Sequence, residues 1–372
     1  MKNSPTPPIT TNTSTHTDLT NTKFSGNIFI FHALDIGDDI NFEKIRKARA
    51  IDTAPLQLPK YFKNYHTPLA VELPHPHQSS RLISSKIHSF GVVSLTYKIP
   101  FSSTLEDVRT IFEETHNHSQ EESIIDAKSI FKRTQKYITQ PHFFHMQSHY
   151  ALIQVNPSDT VNVADLKGQL GGVIASTLRF ETETLSEYQK DTILDATLGY
   201  FRGDLLVVDT DASFIYNKEY EEVLDLFEFV NIQLLELRYF DRLLDKQLNR
   251  IYEGDTRGPH LLSYIPFIGP TKRDPVEALG KLKVDISVIT ERLEGSIKLA
   301  GEPYIEELYD LLIDRLDLGN WRQSIERKLN IVESIQRTYQ QRIQTTREDI
   351  LSVLIVILIF IELVVGILHY MK

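Results

Sequence analysis

Ile350 to Leu368 reads ILSVLIVILIFIELVVGIL, and only Ser352, Glu362 and Gly366 interrupt its large apolar residues. At about 1.5 Å of helical rise per residue, the run is just long enough to cross a hydrocarbon core of about 30 Å. A lone segment in lipid must satisfy its own backbone hydrogen bonds, so the sequence predicts one transmembrane helix over 350–368. The chain is therefore expected to be tail-anchored, with the lipid bilayer as its first partner. Arg337, Arg342 and Arg347 precede the run closely and only Lys372 follows. Counted by positive charge, this is expected to place the large N-terminal part on the cytoplasmic side, and residues 1–26, with no apolar or Arg-rich amphipathic targeting pattern, favour a bacterial inner membrane. A mitochondrial inner membrane with that part facing the matrix is the alternative.

Composition narrows what precedes the anchor. Of 372 residues, 41% are hydrophobic and 24% charged, which is enough to build an ordinary globular core. Fifty acidic against 40 basic side chains, a net charge of −10, argue against broad nucleic-acid binding, which needs clustered Lys and Arg. There is no cysteine, so disulfides, thiolate nucleophiles, iron–sulfur clusters and Cys-type zinc sites are excluded.

Four segments follow from patterning. Residues 1–26 are rich in Thr, Asn, Ser and Pro and form an expected disordered tail. Residues 27–217 read as an α+β domain. Strands are expected at 28–34, 68–73, 90–99 and 150–155, with helices at 40–51, 104–112 and 121–137. This order, strand, helix, strand, strand, helix, strand, is that of a ferredoxin-like split βαβ unit. A helix at 185–198 and a hairpin of 205–208 with 214–216 complete it.

From residue 218 to 349 the period becomes helical. Leu234, Leu237, Asp241, Leu244 and Leu248 fall at alternating three and four spacings, the seam of a long coiled-coil helix. Further helices are expected from Pro275, from Pro303, and from Asn320 through Trp321, Ile325, Leu329, Val332, Ile335, Tyr339 and Ile343 without a breaker before the anchor. Helices joined by such loops imply a bundle, its last member a rod that enters the membrane.

Several stretches of this layout resemble a known family. The Phe90-Gly91-Val92-Val93 strand segment, the helix carrying Tyr304-Ile305-Glu306-Glu307-Leu308-Tyr309, and the C-terminal span with Glu362 are similar to the family named as required for meiotic nuclear division. That resemblance implies anchoring by a C-terminal span. It also implies, through the eukaryotic members, oligomeric inner-membrane proteins that support mitochondrial translation. It supplies no catalytic residues.

The candidate enzymatic motifs also have simpler structural explanations. Asp209 and Asp211 follow an apolar strand in LLVVDTDAS, the spacing with which a haloacid-dehalogenase-type phosphatase presents two carboxylates to Mg²⁺ and a phosphoryl group. A hairpin turn explains the same residues, and no α/β continuation follows. His142, His145 and His149 would share a helix face at i, i+3 and i+7, with His75, His77, His116 and His118 upstream. No acidic residue joins them, so loop and surface histidines are expected and no cofactor or metal is assigned. Gly168, Gly171 and Gly172 lack the order of a dinucleotide fingerprint.

Within the span, Ser352, Ile355, Ile359, Glu362, Gly366 and His369 recur on one face, and Glu362 is costly in lipid unless protonated or partnered. The sequence thus predicts a non-enzymatic, tail-anchored scaffold. Its membrane-helix interface (Ser352, Ile359, Glu362, Gly366) forms a homo-oligomer, and its cytoplasmic-side domain meets an unknown protein partner. The alternative is a membrane-tethered, Mg-dependent phosphohydrolase using Asp209 and Asp211.

Overall fold

A computed structural model describes residues 18–62, 67–73, 81–143, 146–201, 203–252, 275–297 and 302–371. Its body is built on β1 (Phe24–Asp35), a strand of 12 residues whose alternate side chains are buried on both faces. Ile28, Ile30 and Leu34 point one way, Phe29, Phe31 and Ala33 the other, so β1 must be covered on both sides. β2 (Leu69–Ala70), β3 (Leu82–Ile87), β4 (Val92–Ser103) and β5 (Gln147–Val155) lie with β1 in the order β2-β3-β4-β1-β5, every neighbour antiparallel. α1 (Phe42–Ala48) follows β1, and α2 (Leu105–Thr134) joins β4 to β5. The order β3-β4-β1-β5 is the ferredoxin-like arrangement expected from the sequence.

Local details differ. Over 68–73 only Leu69 and Ala70 form a strand, with Val71 in an isolated bridge to Thr53, and the second strand of the unit is β3, whose sequence LISSKI hides a buried Ser85 and Lys86 behind a polar composition. β4 runs through Pro100, because the β3–β4 ladder ends at Leu82↔Tyr97, with a last bond from the Lys98 N–H to Arg81 O, short of where the missing N–H would fall. The two helices expected between β4 and β5 are one, capped by Thr104.

The sheet then grows. α3 (Val163–Leu178) and α4 (Glu187–Leu194) lead to β6 (Thr197–Leu198), β7 (Leu205–Val208) and β8 (Ala212–Tyr216). β8 pairs parallel with β5, and the eight strands end in β5-β8-β7-β6. α2 and α3 cover one face, where Val108, Phe112, Leu166, Leu170 and Ile174 meet Ile28, Ile30, Ile153 and Phe214.

α5 (Glu221–Tyr252) covers the other. Phe227 stacks against Phe31 at 6.4 Å and Tyr150 at 5.7 Å, and Val223, Leu226 and Val230 join that core. The helix that opens the expected 218–349 bundle thus serves first as the third layer of the body. Farther along, α5 leaves the sheet and packs with α6 (Pro275–Gly295), α7 (Pro303–Arg315) and α8 (Leu318–Tyr370). Arg238 lies over Trp321 and Asp241 meets Ser324 and Lys328, so α5 and α8 run parallel rather than antiparallel. α6 runs against both: Lys283 pairs with Glu333, and Gly280 lies beside Gln336.

α8 is 53 residues long, about 80 Å at the α-helical rise. It opens behind Asp317 in the left-handed region, with Asn320, the expected start, inside its first turn. Leu318, Ile325 and Val332 are its buried residues, one heptad apart. Nothing is fully buried along the rest of the helix.

Candidate functional site

The predicted span is the far part of α8. Its most apolar window has a mean hydropathy of 3.2 and no residue buried inside the molecule, so length and composition mark α8 as a candidate membrane span. Ser352, Ile359, Glu362 and Gly366 are exposed on it. Ser352 Oγ donates to Glu348 O at 2.9 Å, which satisfies the hydroxyl within the helix. A Cβ placed on Gly366 would meet no described atom within 4 Å, so this face is unpartnered among the described residues.

The predicted seam on α5 divides between packing and recognition. Leu234, Leu237, Leu244 and Leu248 are buried in one core with Ile325 and Val332 of α8. Asp241 is the polar member. Its Oδ1 accepts from Ser324 Oγ at 2.7 Å and from Lys328 Nζ at 2.7 Å, while Lys328 also pairs with Asp245 at 2.6 Å. Burial pulls the Lys328 ammonium down, but the carboxylates outweigh it and hold its pKa above the ordinary value. A polar contact inside an apolar seam fixes which turn of α8 faces which turn of α5.

Within the body, Asp209 is fully buried at the β7–β8 turn. Arg179, at the end of α3, forms an ion pair with it, and Arg179 Nη2 donates to Oδ1 at 3.0 Å. Burial raises the Asp209 carboxyl against the pull of Arg179. The Asp209 N–H donates to Ala212 O, and the Tyr150 hydroxyl donates to Asp209 O at 2.8 Å. This is the hairpin turn that the sequence also allowed. Asp211 stands exposed beside it.

His142, His145 and His149 do not share a helix face. His142 lies outside any helix, His149 is in β5, and His145 is beyond the described residues, as are His75 and His77. His149 instead pairs in register with His32 of β1 and meets His116 of α2 at a ring separation of 4.6 Å. His32 is fixed between Ser119 Oγ and Gln147 Nε2, both at 3.0 Å. Burial pushes all three imidazoles down, His116 to about 4. Among the described residues no group of His, Cys, Asp and Glu has the geometry to hold a metal ion.

One cluster escaped sequence reasoning. Lys86 on β3 is buried and its Nζ donates at 2.6 Å to both Asp225 Oδ1 and Glu228 Oε2 on α5. Ser94 Oγ donates to Glu228 Oε1 at 2.5 Å and accepts from His88 Nε2 at 3.0 Å. The chain of bonds clamps α5 to the sheet. Nothing in a polar LISSKI and a distant acidic pair signals it; only the fold brings them together.

These features define a class: a ferredoxin-like body extended to eight strands, roofed by a helix that continues into a stalk, with one candidate membrane span among the described residues. The chain belongs to the family described as "Uncharacterized protein MJ0711, N-terminal domain", whose model matches residues 25–222, the body up to the first turn of α5. It is similar to the uncharacterized protein MJ0711 of Methanocaldococcus jannaschii, 25% identical over 203 residues. That match covers 52% of this chain and 58% of the relative, so the chain spans less than two thirds of the relative's length. No solved structure matches.

Proposed function

We propose that this protein is a non-enzymatic membrane scaffold that holds its α/β body at a set distance and angle from a bilayer. The observation that carries the reading is the continuity of α8, which packs in the bundle at Leu318, Ile325 and Val332 and runs unbroken into the candidate span. A helix shared by bundle and bilayer transmits orientation, where a flexible linker would lose it. The bias of Arg337, Arg342 and Arg347 supports a cytoplasmic-side body at a bacterial-type inner membrane, with the matrix side of a mitochondrial inner membrane as the corresponding organellar case. The resemblance to the meiotic-division family supports the same picture of an oligomeric anchored protein. The face with Ser352, Ile359, Glu362 and Gly366 joins two copies, because small residues let helices approach closely and a paired Glu362 avoids standing alone in lipid. A protein partner then binds the body.

The chain lacks cysteine, so Gly366→Cys introduces a unique thiol. In native membranes the account expects a disulfide-linked dimer that Glu362→Leu weakens. No dimer, or one indifferent to Glu362→Leu, overturns the oligomer.

A further inference from the structure

The point where α5 leaves the sheet gathers ionisable side chains from several segments. Asp35 ends β1, Asp38 and Asp39 lie in the turn toward α1, and His142 precedes β5; Glu236 and Tyr239 come from α5 and Asp285 from α6. His142 Nε2 lies 2.7 Å from Asp35 Oδ2 and its Nδ1 lies 3.0 Å from Gln140 O. Both partners are acceptors, an arrangement that favours the doubly protonated ring. Asp35 Oδ1 accepts from the Gly37 N–H at 3.1 Å, and the Tyr239 ring stacks on His142 at 6.3 Å.

Glu236 is different. It is 4% exposed, accepts no hydrogen bond from any described residue, and the charged groups that act on it are the acids Asp35 and Asp38. A buried carboxylate with no donor among the described residues and two like charges nearby is stabilised by neutralisation, and a proton is the simplest neutraliser.

We propose that this joint is a proton-operated latch, in which protons on Glu236 and His142 hold α5 against the end of the sheet and their loss opens the hinge between body and stalk. The proposal rests on the fold alone and stands or falls apart from the membrane reading.

Both protons act in the same sense. Burial first, then Asp35 and Asp38, raise Glu236 well above its ordinary 4.5. Its contribution is full below about 4.5 and is lost as pH rises through the folded value. The hydrogen bond to Asp35 raises His142 above 6.5 against its partial burial, so its contribution is full below 6.5 and is likewise lost as pH rises. Burial raises Asp38, opposed by His142, and burial with Asp35, Asp38 and Glu236 raises Tyr239. Asp39 and Asp285 act on Asp38 as further negative charge. The joint is therefore tight in mild acid and loosens toward alkaline pH.

Hydrogen exchange of the full chain in nanodiscs, corrected for the intrinsic rate, reads this directly. Peptides over 35–40, 138–143 and 232–240 should lose protection by up to about tenfold per pH unit for each proton released, relative to β5. Glu236→Gln, which stays neutral, should keep protection to higher pH. Asp38→Asn, which removes one facing acid at a half-buried position, brings Glu236 and His142 back toward their ordinary values and should shrink the total loss of protection on raising the pH. Protection that tracks β5 at every pH overturns the latch. So does a Glu236→Gln or Asp38→Asn profile that superimposes on the parent.

Discussion

Lys328→Met should cost about 2 kcal/mol, and the cost should fall to about 1 kcal/mol or less when Asp241 is already gone. Lys328 and Asp241 are 16% and 14% exposed, and their 2.7 Å contact joins the stalk helix to the roof of the body. Charge-assisted hydrogen bonds in such partly buried settings contribute about 1.5–3 kcal/mol. Methionine keeps most of the aliphatic stem, so the loss reports the ammonium rather than the packing. Asp241→Ala removes the acceptor of both Ser324 and Lys328 but leaves Asp245, 53% exposed, as a partner for Lys328. A double-mutant cycle should therefore give a coupling of about 1–2 kcal/mol. The Glu43–Lys47 pair on α1, 3.6 Å apart and 77% and 80% exposed, supplies an internal control with a coupling near zero, about 0–0.5 kcal/mol. Denaturant unfolding of the detergent-solubilised chain, followed by circular dichroism, measures both cycles. A Lys328–Asp241 coupling no larger than the control would refute the parallel register of α5 and α8.

Other perturbations follow from the body. Gly91 has φ +102° and a Cβ there would lie 1.6 Å from Gly37 O and 2.6 Å from Asp38 O, so Gly91→Ala should cost more than about 3 kcal/mol; an unchanged melting temperature would contradict the turn. Arg179→Ala leaves the buried Asp209 without its ion-pair partner and should cost about 2–4 kcal/mol, where a loss below about 0.5 would show that the turn does not depend on the pair. Acid should also destabilise the protein. Burial, helped by Lys86, holds His88 down to about 3, and burial with His149 holds His116 down to about 4, while the unfolded chain titrates near 6.5. Their neutral forms thus contribute stability present above 6.5 and lost as pH falls through those values, and His116→Gln should flatten the decline of the unfolding midpoint between about pH 6.5 and 4.

How far the sequence foretells this structure depends on where partners lie along the chain. The span, the continuous α8 and the order of the ferredoxin-like unit were legible because each rests on local periodicity. β3 was not, since Ser85 and Lys86 are buried through bonds to other elements, and Lys86 finds Glu228 only after the sheet forms 142 residues away. α3 was hidden by Gly168, Gly171 and Gly172, which suit a loop until Leu166, Leu170 and Ile174 are seen to meet the sheet. Asp241 stood out in its seam, but its partners Ser324 and Lys328 lie 83 and 87 residues on. The resemblance segments have structural roles: Gly91 turns β3 into β4, and Leu308 and Tyr309 seat α7, the Tyr309 hydroxyl donating to Gln233 Oε1 at 3.2 Å.

The central claim is that one helix carries the body into the membrane. With no native cysteine, single cysteines placed along 336–370 are unique reporters. Labelling with a membrane-impermeant maleimide in sealed native membranes should be efficient before about residue 350 and should stop across 350–368. The chain should also stay in the pellet after alkaline carbonate extraction. Even labelling through 350–368, with release of the chain by carbonate, would contradict the account.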